Sequence, residues 1–151
     1  MRLLSAVSKL RRFSGAERRL LLVSAILLPL LAAALRVIGF ARVRRWLLHS
    51  TVRRSARPEV EPEKLAVLVN AASNRLPIAG SCLTRSLLLD WMLRRRGVDS
   101  ALRLGVRLDK GRLQAHAWVE IGGRPVNDAP GVAGQFAPFE GRRSARLPVA
   151  P

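Results

Sequence analysis

The chain has 151 residues, 49% of them hydrophobic, which suffices for one modest core but not for several large domains. A single cysteine excludes an internal disulfide, and one cysteine with two widely spaced histidines does not make a zinc site. The net charge of +17 is uneven, because residues 1–57 hold 13 of the 27 lysines and arginines and only one acid.

Residues 1–57 form a basic, apolar N-terminal region that we predict to be helical. Ser14-Gly15-Ala16-Glu17 has the pattern of a capping box, in which a serine and a glutamate three residues later satisfy each other's backbone N–H groups. Residues 20–35 then carry no charge, and Pro29 within them predicts a kink or an end of the helix. We therefore predict a helical hairpin with basic rims.

The uncharged run has other interpretations. Ala32-Ala33-Ala34 resembles the cleavage site of a signal peptide, and a membrane span would need about 20 apolar residues and would have to include Arg36. We favour a cytoplasmic protein whose hairpin packs on the following domain, contacts a membrane surface through residues 14–48, or binds a partner. No nucleic-acid binding is predicted, because the arginines match no known binding motif and few aromatic residues lie among them.

A linker at residues 49–62 leads to a domain that we place at residues 58–140, followed by a flexible tail at residues 141–151. Apolar spacing predicts one helix over residues 63–74. A second helix is predicted to start after Ser81, a good N-cap residue, and to end before Gly97, which suits a left-handed C-cap.

Cys82 lies in the first turn of this second helix. The N–H groups there have no partner within the helix and concentrate positive charge, so they can stabilise a thiolate or hold a developing oxyanion. Cys82 is therefore a candidate nucleophile, although a lone cysteine is also often a small buried apolar residue.

Two strands follow the helix. Apolar residues alternate over residues 102–108 and again over residues 113–121, and turn residues lie between the two runs. In the second run, His116 and Trp118 share one face. His116 is a candidate general base, and Trp118 is a candidate substrate-binding residue that could also shield the histidine from water.

Asp128 is the candidate partner of His116, and the hairpin between them decides whether they meet. A two-residue glycine loop would turn Asp128 away from the histidine. A three-residue loop, Ile121 to Gly123, would pair Glu120 with Arg124 and set Asp128 opposite His116. We expect the three-residue loop, because it also places opposite charges across the strands.

The order of these blocks resembles the transglutaminase-like superfamily of cysteine peptidases and acyltransferases. Within it, the chain is similar to the leader peptidases of lasso-peptide biosynthesis, the B proteins. The segments that carry the resemblance are Ser81–Leu87, Leu93–Val98, Leu102–Val106 and Ala115–Glu120, and the match runs from about Glu63 to Asp128. It implies an α+β fold with a papain-like core, in which the cysteine-bearing helix packs on a small antiparallel sheet.

The resemblance also implies roles: Cys82 as nucleophile, His116 as base and Asp128 as the acid that orients the histidine, with no cofactor and no metal. The substrate would be a lasso precursor peptide, whose leader is removed before a separate cyclase closes the ring. Some B proteins carry a winged-helix domain that binds the leader. No such pattern precedes Glu63, so we expect a separate small leader-binding protein.

Two other functions stay open at this point. A transglutaminase-like acyltransferase would share the nucleophile and the first half of the reaction, but would transfer the acyl group to an amine. A membrane-surface or scaffold protein would carry the Cys/His/Asp pattern only by coincidence.

Overall fold

The computed structural model describes residues 13–49, 60–76 and 81–139. The helices are α1 (Gly15–Ile38), α2 (Phe40–Leu48), α3 (Pro62–Ser73), α4 (Cys82–Arg94) and the short α5 (Val132–Gln135). The strands are β1 (Ala101–Asp109), β2 (Arg112–Ile121), β3 (Arg124–Pro125) and β4 (Ala137–Pro138), and they form an antiparallel sheet in the order β3-β2-β1-β4. The predicted α+β class, with a cysteine-bearing helix against a small antiparallel sheet, is confirmed.

The N-terminal region forms the predicted helical hairpin, but its turn is not at the proline. Ser14 and Glu17 make the capping box, and α1 then continues through Pro29 for nine further residues. A proline removes one backbone hydrogen bond, and burial of Leu28 and Leu31 on either side of it offsets that cost. The turn lies at Gly39, whose φ of +80° favours a residue without a Cβ.

Helices α1 and α2 share one hydrophobic core with the helices and the sheet that follow. The core residues are Leu28, Leu31, Val43, Leu65, Ala66, Val69, Ala72, Leu87, Leu88, Leu89, Met92, Leu93 and Val119. The N-terminal hairpin therefore packs on the remainder of the chain, as one of our alternatives expected. The proposed boundary near residue 57 and the tail at residues 141–151 lie outside the described residues.

By length and composition, α1 is also a helix that could cross a membrane. The core helix of a folded domain passes the same test, and α1 contributes Leu28 and Leu31 to the core. The structure therefore leaves α1 as a membrane-associating segment or a core helix.

An ion pair ties the start of α1 to α3. Glu17 is buried, and its carboxylate pairs with Lys64 while also accepting a hydrogen bond from the Ser14 N–H. The hydrogen bond from Lys64 is the largest cause that lowers the pKa of Glu17, the Ser14 N–H adds to it, and burial opposes both. A lowered carboxyl pKa means that the interaction stabilises the folded chain only while Glu17 is ionised.

We expect this pair to make stability depend on pH in acid. The stabilisation is complete above the unfolded-state pKa of Glu17 and is lost as the pH falls through its lowered folded-state pKa. The melting temperature of Glu17→Gln should therefore fall less than that of the wild type between about pH 5 and pH 3. Glu63→Gln, which replaces an exposed acid next to Lys64, is the control and should keep the wild-type slope. Equal slopes in all three proteins would contradict the prediction.

Both runs that were predicted as strands form strands, β1 and β2. β1 and β2 form a hairpin through Lys110 and Gly111, which both have positive φ. Val119 packs in the core against the helices, whereas Trp118 forms a second cluster with Val132 and Phe136. Neighbouring residues of β2 therefore serve different clusters, as a period of two requires.

The second hairpin shows that the predicted register is wrong. Gly122 and Gly123 form a two-residue loop with φ of +56° and +79°, and Ile121 pairs with Arg124. Two successive positive φ values define a type I′ turn, whose twist matches that of the flanking strands, and two glycines adopt it without strain. The glycine pair thus favours the shorter loop.

The charge pairing that supported the longer loop is also absent. Glu120 lies opposite Pro125, not Arg124. Its carboxylate instead accepts a hydrogen bond of 2.9 Å from Arg103 Nε on β1. Strand β2 has a neighbouring strand on each side, so Glu120 can pair with a cation on either one. The expected pairing of Glu120 with Arg124 therefore did not determine the register.

Candidate active site

Cys82 is the first residue of α4, and its side chain is partly exposed. The Ser81 hydroxyl accepts a hydrogen bond from the Thr84 N–H, and the Ser81 carbonyl accepts one from the Arg85 N–H. The N–H groups of Cys82 and Leu83 come before these and have no acceptor among the described residues. These two N–H groups can therefore donate hydrogen bonds to an anion that binds next to the thiol.

His116 lies in the middle of β2 and contacts Asp128 directly. His116 Nε2 and Asp128 Oδ2 are 2.7 Å apart, and both side chains are about one-fifth exposed. The Ala129 N–H donates to the other carboxylate oxygen at 2.8 Å. Because Nε2 faces the carboxylate, Nδ1 is the ring nitrogen that remains to exchange a proton with another group.

Asp128 reaches His116 although the register that should have brought it there is wrong. β3 ends at Pro125, and only one more ladder bond follows, from the Val126 N–H to the Val119 carbonyl at 2.9 Å. The Asn127 side chain then takes the place of the backbone, since its Oδ1 accepts from the Val119 N–H at 2.8 Å. The chain leaves the sheet at this point, and Asp128 turns to the histidine.

Buried polar groups hold Asn127 in this position. Its Nδ2 donates to Ser86 Oγ on α4 at 2.8 Å, and Ser86 Oγ donates to the Ala117 carbonyl at 2.9 Å. Asn70 Nδ2 on α3 donates to the Asn127 carbonyl at 3.0 Å. Helices α3 and α4 and strand β2 thus fix the residue before Asp128.

We expect Asn127→Ala to destabilise the fold and to misplace Asp128. The substitution leaves the buried Val119 N–H without an acceptor, which should lower the free energy of unfolding by about 2–3 kcal/mol. Urea denaturation measures this change. Gln114→Ala removes an exposed amide from β2, the strand that contains Val119, and should change the free energy of unfolding by less than about 0.5 kcal/mol. A loss no larger in Asn127→Ala than in this control would contradict the account.

Arg85 is a site residue that the sequence analysis missed. It lies one turn after Cys82 on α4, and its Nη2 is 3.5 Å from Asp128 Oδ2. Its Nε is buried without a hydrogen-bond partner in the described part of the chain. Burying an unpaired N–H group lowers stability. The attraction between the Arg85 charge and the Asp128 carboxylate is the interaction that offsets this cost. The spacing of three from Cys82, which puts both on one helix face, was the available signal.

An aromatic cluster supports His116. The ring centroid of Phe136 is 5.0 Å and that of Trp118 is 6.2 Å from the imidazole, and both rings stack on it. Arg107 covers the Phe136 ring at 4.8 Å. Trp118 is 3% exposed and donates from Nε1 to Glu120 at 2.9 Å, so the contact seen here is with the histidine. Its substrate-binding role stays a prediction.

The close packing of this cluster depends on Gly105, which lies opposite His116 on β1. A Cβ at this position would lie 2.7 Å from the Phe136 Cβ and 3.0 Å from the Trp118 ring. Any side chain there would push both rings away. The sequence analysis did not identify Phe136 as a site residue, but the structure places its ring on the histidine.

One cavity of about 370 Å³ joins Cys82 to His116. Its walls come mainly from apolar residues of α4, β1 and β2, and they include Phe40 of α2 and Phe139 after β4. No hydrogen bond joins the thiol to His116 within the residues that the structure describes; the two groups meet at the cavity. The same residues contain no cluster of three His, Cys, Asp or Glu side chains that could hold a metal ion.

Comparison with known proteins places the chain in a wider context. A family model described as the transglutaminase-like superfamily matches residues 25–140. The microcin J25-processing protein McjB of Escherichia coli is 45% identical to this chain over 49 residues, which are 32% of this chain and 23% of McjB. The chain thus aligns with about a quarter of that relative's length. No solved structure matches the chain significantly.

Proposed function

This chain belongs to the transglutaminase-like superfamily, and we propose that it is a cysteine peptidase that removes the leader from a lasso precursor peptide. The observation that carries the proposal is the 2.7 Å contact between His116 and Asp128 beside a cavity that Cys82 also lines. The relative McjB, whose name assigns it to the processing of microcin J25, supports a role in lasso-peptide biosynthesis.

The first half of the reaction forms a thioester. His116 Nδ1 takes the proton of the Cys82 thiol, and the sulfur attacks the carbonyl carbon of the scissile bond. The N–H groups of Cys82 and Leu83 stabilise the negative charge that develops on the carbonyl oxygen. The C–N bond then breaks, and His116 returns the proton to the amine of the leaving core peptide.

In the second half, His116 takes a proton from water, and the hydroxide attacks the thioester. Collapse of the intermediate releases the leader with a free carboxylate and returns the proton to the Cys82 sulfur. Asp128 keeps Nε2–H pointing at its carboxylate, which leaves Nδ1 as the nitrogen that exchanges a proton with the thiol. Arg85 and the Ala129 N–H hold that carboxylate in place.

The partners follow from the same proposal. The substrate is a lasso precursor peptide, a separate small protein presents its leader, and a lasso cyclase receives the new N-terminus. The apolar walls of the cavity suit a peptide side chain next to the scissile bond. The proposal also implies a cytoplasmic enzyme, because a ribosomally made precursor is synthesised in the cytoplasm.

Product masses test the proposal. A precursor peptide incubated with its leader-binding protein and this chain should yield a leader and a core that together weigh one water more than the precursor. Leader attached to an added amine would instead support the acyltransferase. No reaction with all partners present would favour the scaffold alternative. Deleting residues 1–57 is not a clean test of that alternative, because Leu28, Leu31 and Val43 belong to the core.

A further inference from the structure

The outward face of α1 is an apolar surface that no part of the described chain covers. Leu22, Ile26, Leu30 and Val37 follow at helical spacing on this face, and each is between 61% and 81% exposed. Residues 20–35 carry no charge, a length of about 24 Å along the helix. Aliphatic side chains this exposed and this closely grouped mark a binding surface.

The exposed charges of α1 and α2 have one sign. Helices α1 and α2 carry six arginines, all exposed: Arg18, Arg19, Arg36, Arg42, Arg44 and Arg45. The acid of α1, Glu17, is buried and paired with Lys64, and α2 has none. Arg18 and Arg19 precede the apolar stripe, and Arg36 lies at its far end. The surface is therefore an apolar stripe with a cationic group at either end.

We propose that this face of the hairpin binds the surface of a membrane that contains anionic phospholipids, with α1 lying in the plane of the interface. The four aliphatic side chains enter the boundary between headgroups and acyl chains, and the arginines pair with lipid phosphates. An apolar groove of about 420 Å³, lined by residues of α1, α2 and α4, includes the exposed Leu30 and Ile38 and extends the apolar surface.

The inward face of α1 argues for a helix that lies on the membrane over one that spans it. Ser24, Leu28 and Leu31 are buried against the other helices, and Glu17 holds its ion pair with α3. A span would have to withdraw this face from the core and place Glu17 and Arg36 near the hydrocarbon. The folded arrangement instead presents the apolar stripe outward while the core stays intact.

Vesicle flotation with the full chain tests the proposal. The protein should float with phosphatidylcholine vesicles that contain about 30% phosphatidylglycerol, and much less with pure phosphatidylcholine, because each arginine near an anionic surface contributes about fivefold in affinity. Raising the salt concentration should weaken the binding. Leu22→Gln combined with Ile26→Gln should reduce binding by roughly 100-fold, about tenfold for each aliphatic side chain.

Matched variants distinguish binding by the α1–α2 surface from nonspecific binding by exposed apolar or charged residues elsewhere. Leu108→Gln with Leu113→Gln removes two aliphatic residues of the β1–β2 hairpin that are more exposed than Leu22 and Ile26, and it should leave binding unchanged. Arg42→Gln with Arg45→Gln should weaken binding more than Arg112→Gln with Arg124→Gln, which removes the same charge from the sheet. Circular dichroism and melting temperature confirm that each variant folds.

Three results would overturn the proposal. The first is equal binding to neutral and anionic vesicles, or binding to neither. The second is a dimer in sedimentation that the Leu22/Ile26 variant disrupts while vesicles stay unbound, which would assign the stripe to a second copy of the chain. The third is resistance to extraction from membranes at high pH, which would indicate a span. None of these measurements uses peptide cleavage, so they stand apart from the peptidase proposal.

Discussion

Replacing Cys82 with alanine should abolish leader removal, with a loss in kcat of at least about 10⁴-fold. The proposed reaction proceeds through a bond to the sulfur, and alanine offers no atom that can form it. The cavity, the helix end and the contact between His116 and Asp128 do not depend on the thiol, so the variant should fold and still bind the precursor. Cleavage followed by mass spectrometry gives the rate, and the melting temperature checks the fold.

Cys82→Ser is the companion variant, because it keeps the size of the side chain and replaces the sulfur with a poorer nucleophile. It should be far slower than the wild type but should still bind the precursor. The chain has one cysteine, so iodoacetamide should add a single label and stop cleavage in parallel. A Cys82→Ala protein that cuts at the wild-type rate would exclude this mechanism and direct attention to the N-terminal hairpin.

The helices and strands of this fold could be predicted where their sequence signals, such as caps and apolar alternation, act over a few neighbouring residues. Ser14 and Glu17, and Ser81 with Gly97, marked helix ends correctly, because caps act within one turn of the chain. The two long strands were predicted from the alternation of apolar and polar residues, which is typical of strands because successive side chains point to opposite faces. Pro29 does not end α1, because its cost within the helix is offset by core contacts that no local pattern reports.

The site depends on contacts between residues far apart in sequence, and local sequence patterns predict such contacts poorly. The hairpin register was wrong, yet His116 and Asp128 meet, because the Asn127 side chain replaces a backbone acceptor and ends the ladder. Asparagine before aspartate looks like an ordinary turn in sequence. Arg85 and Phe136 were missed as site residues for the same reason: their partners lie 43 and 20 positions away, on other elements.

Removing the Asp128 carboxylate should cause the second large loss of kcat. In Asp128→Ala, Nε2 of His116 has no acceptor, so the imidazole can rotate or carry its proton on the nitrogen that must face the thiol. We expect kcat to fall by about 10²–10⁴-fold, by analogy with orienting acids of other nucleophilic sites. KM should change little, because Asp128 acts on the histidine and not on the peptide. The rate of thiol alkylation by a small reagent should also change, whereas a purely structural role would alter only stability.

Arg85 permits a graded test of the same arrangement. Arg85→Gln leaves the hydrogen bond between His116 and Asp128 in place but removes the charge that holds the carboxylate, so kcat should fall by roughly tenfold, with partial recovery in Arg85→Lys. Arg94→Gln is the matched control, because it removes a guanidinium of the same helix that pairs with Asp90. It should cost stability and spare kcat. If Arg94→Gln lowers kcat as much as Arg85→Gln, the loss reflects damage to α4, and Arg85 has no particular role in positioning Asp128.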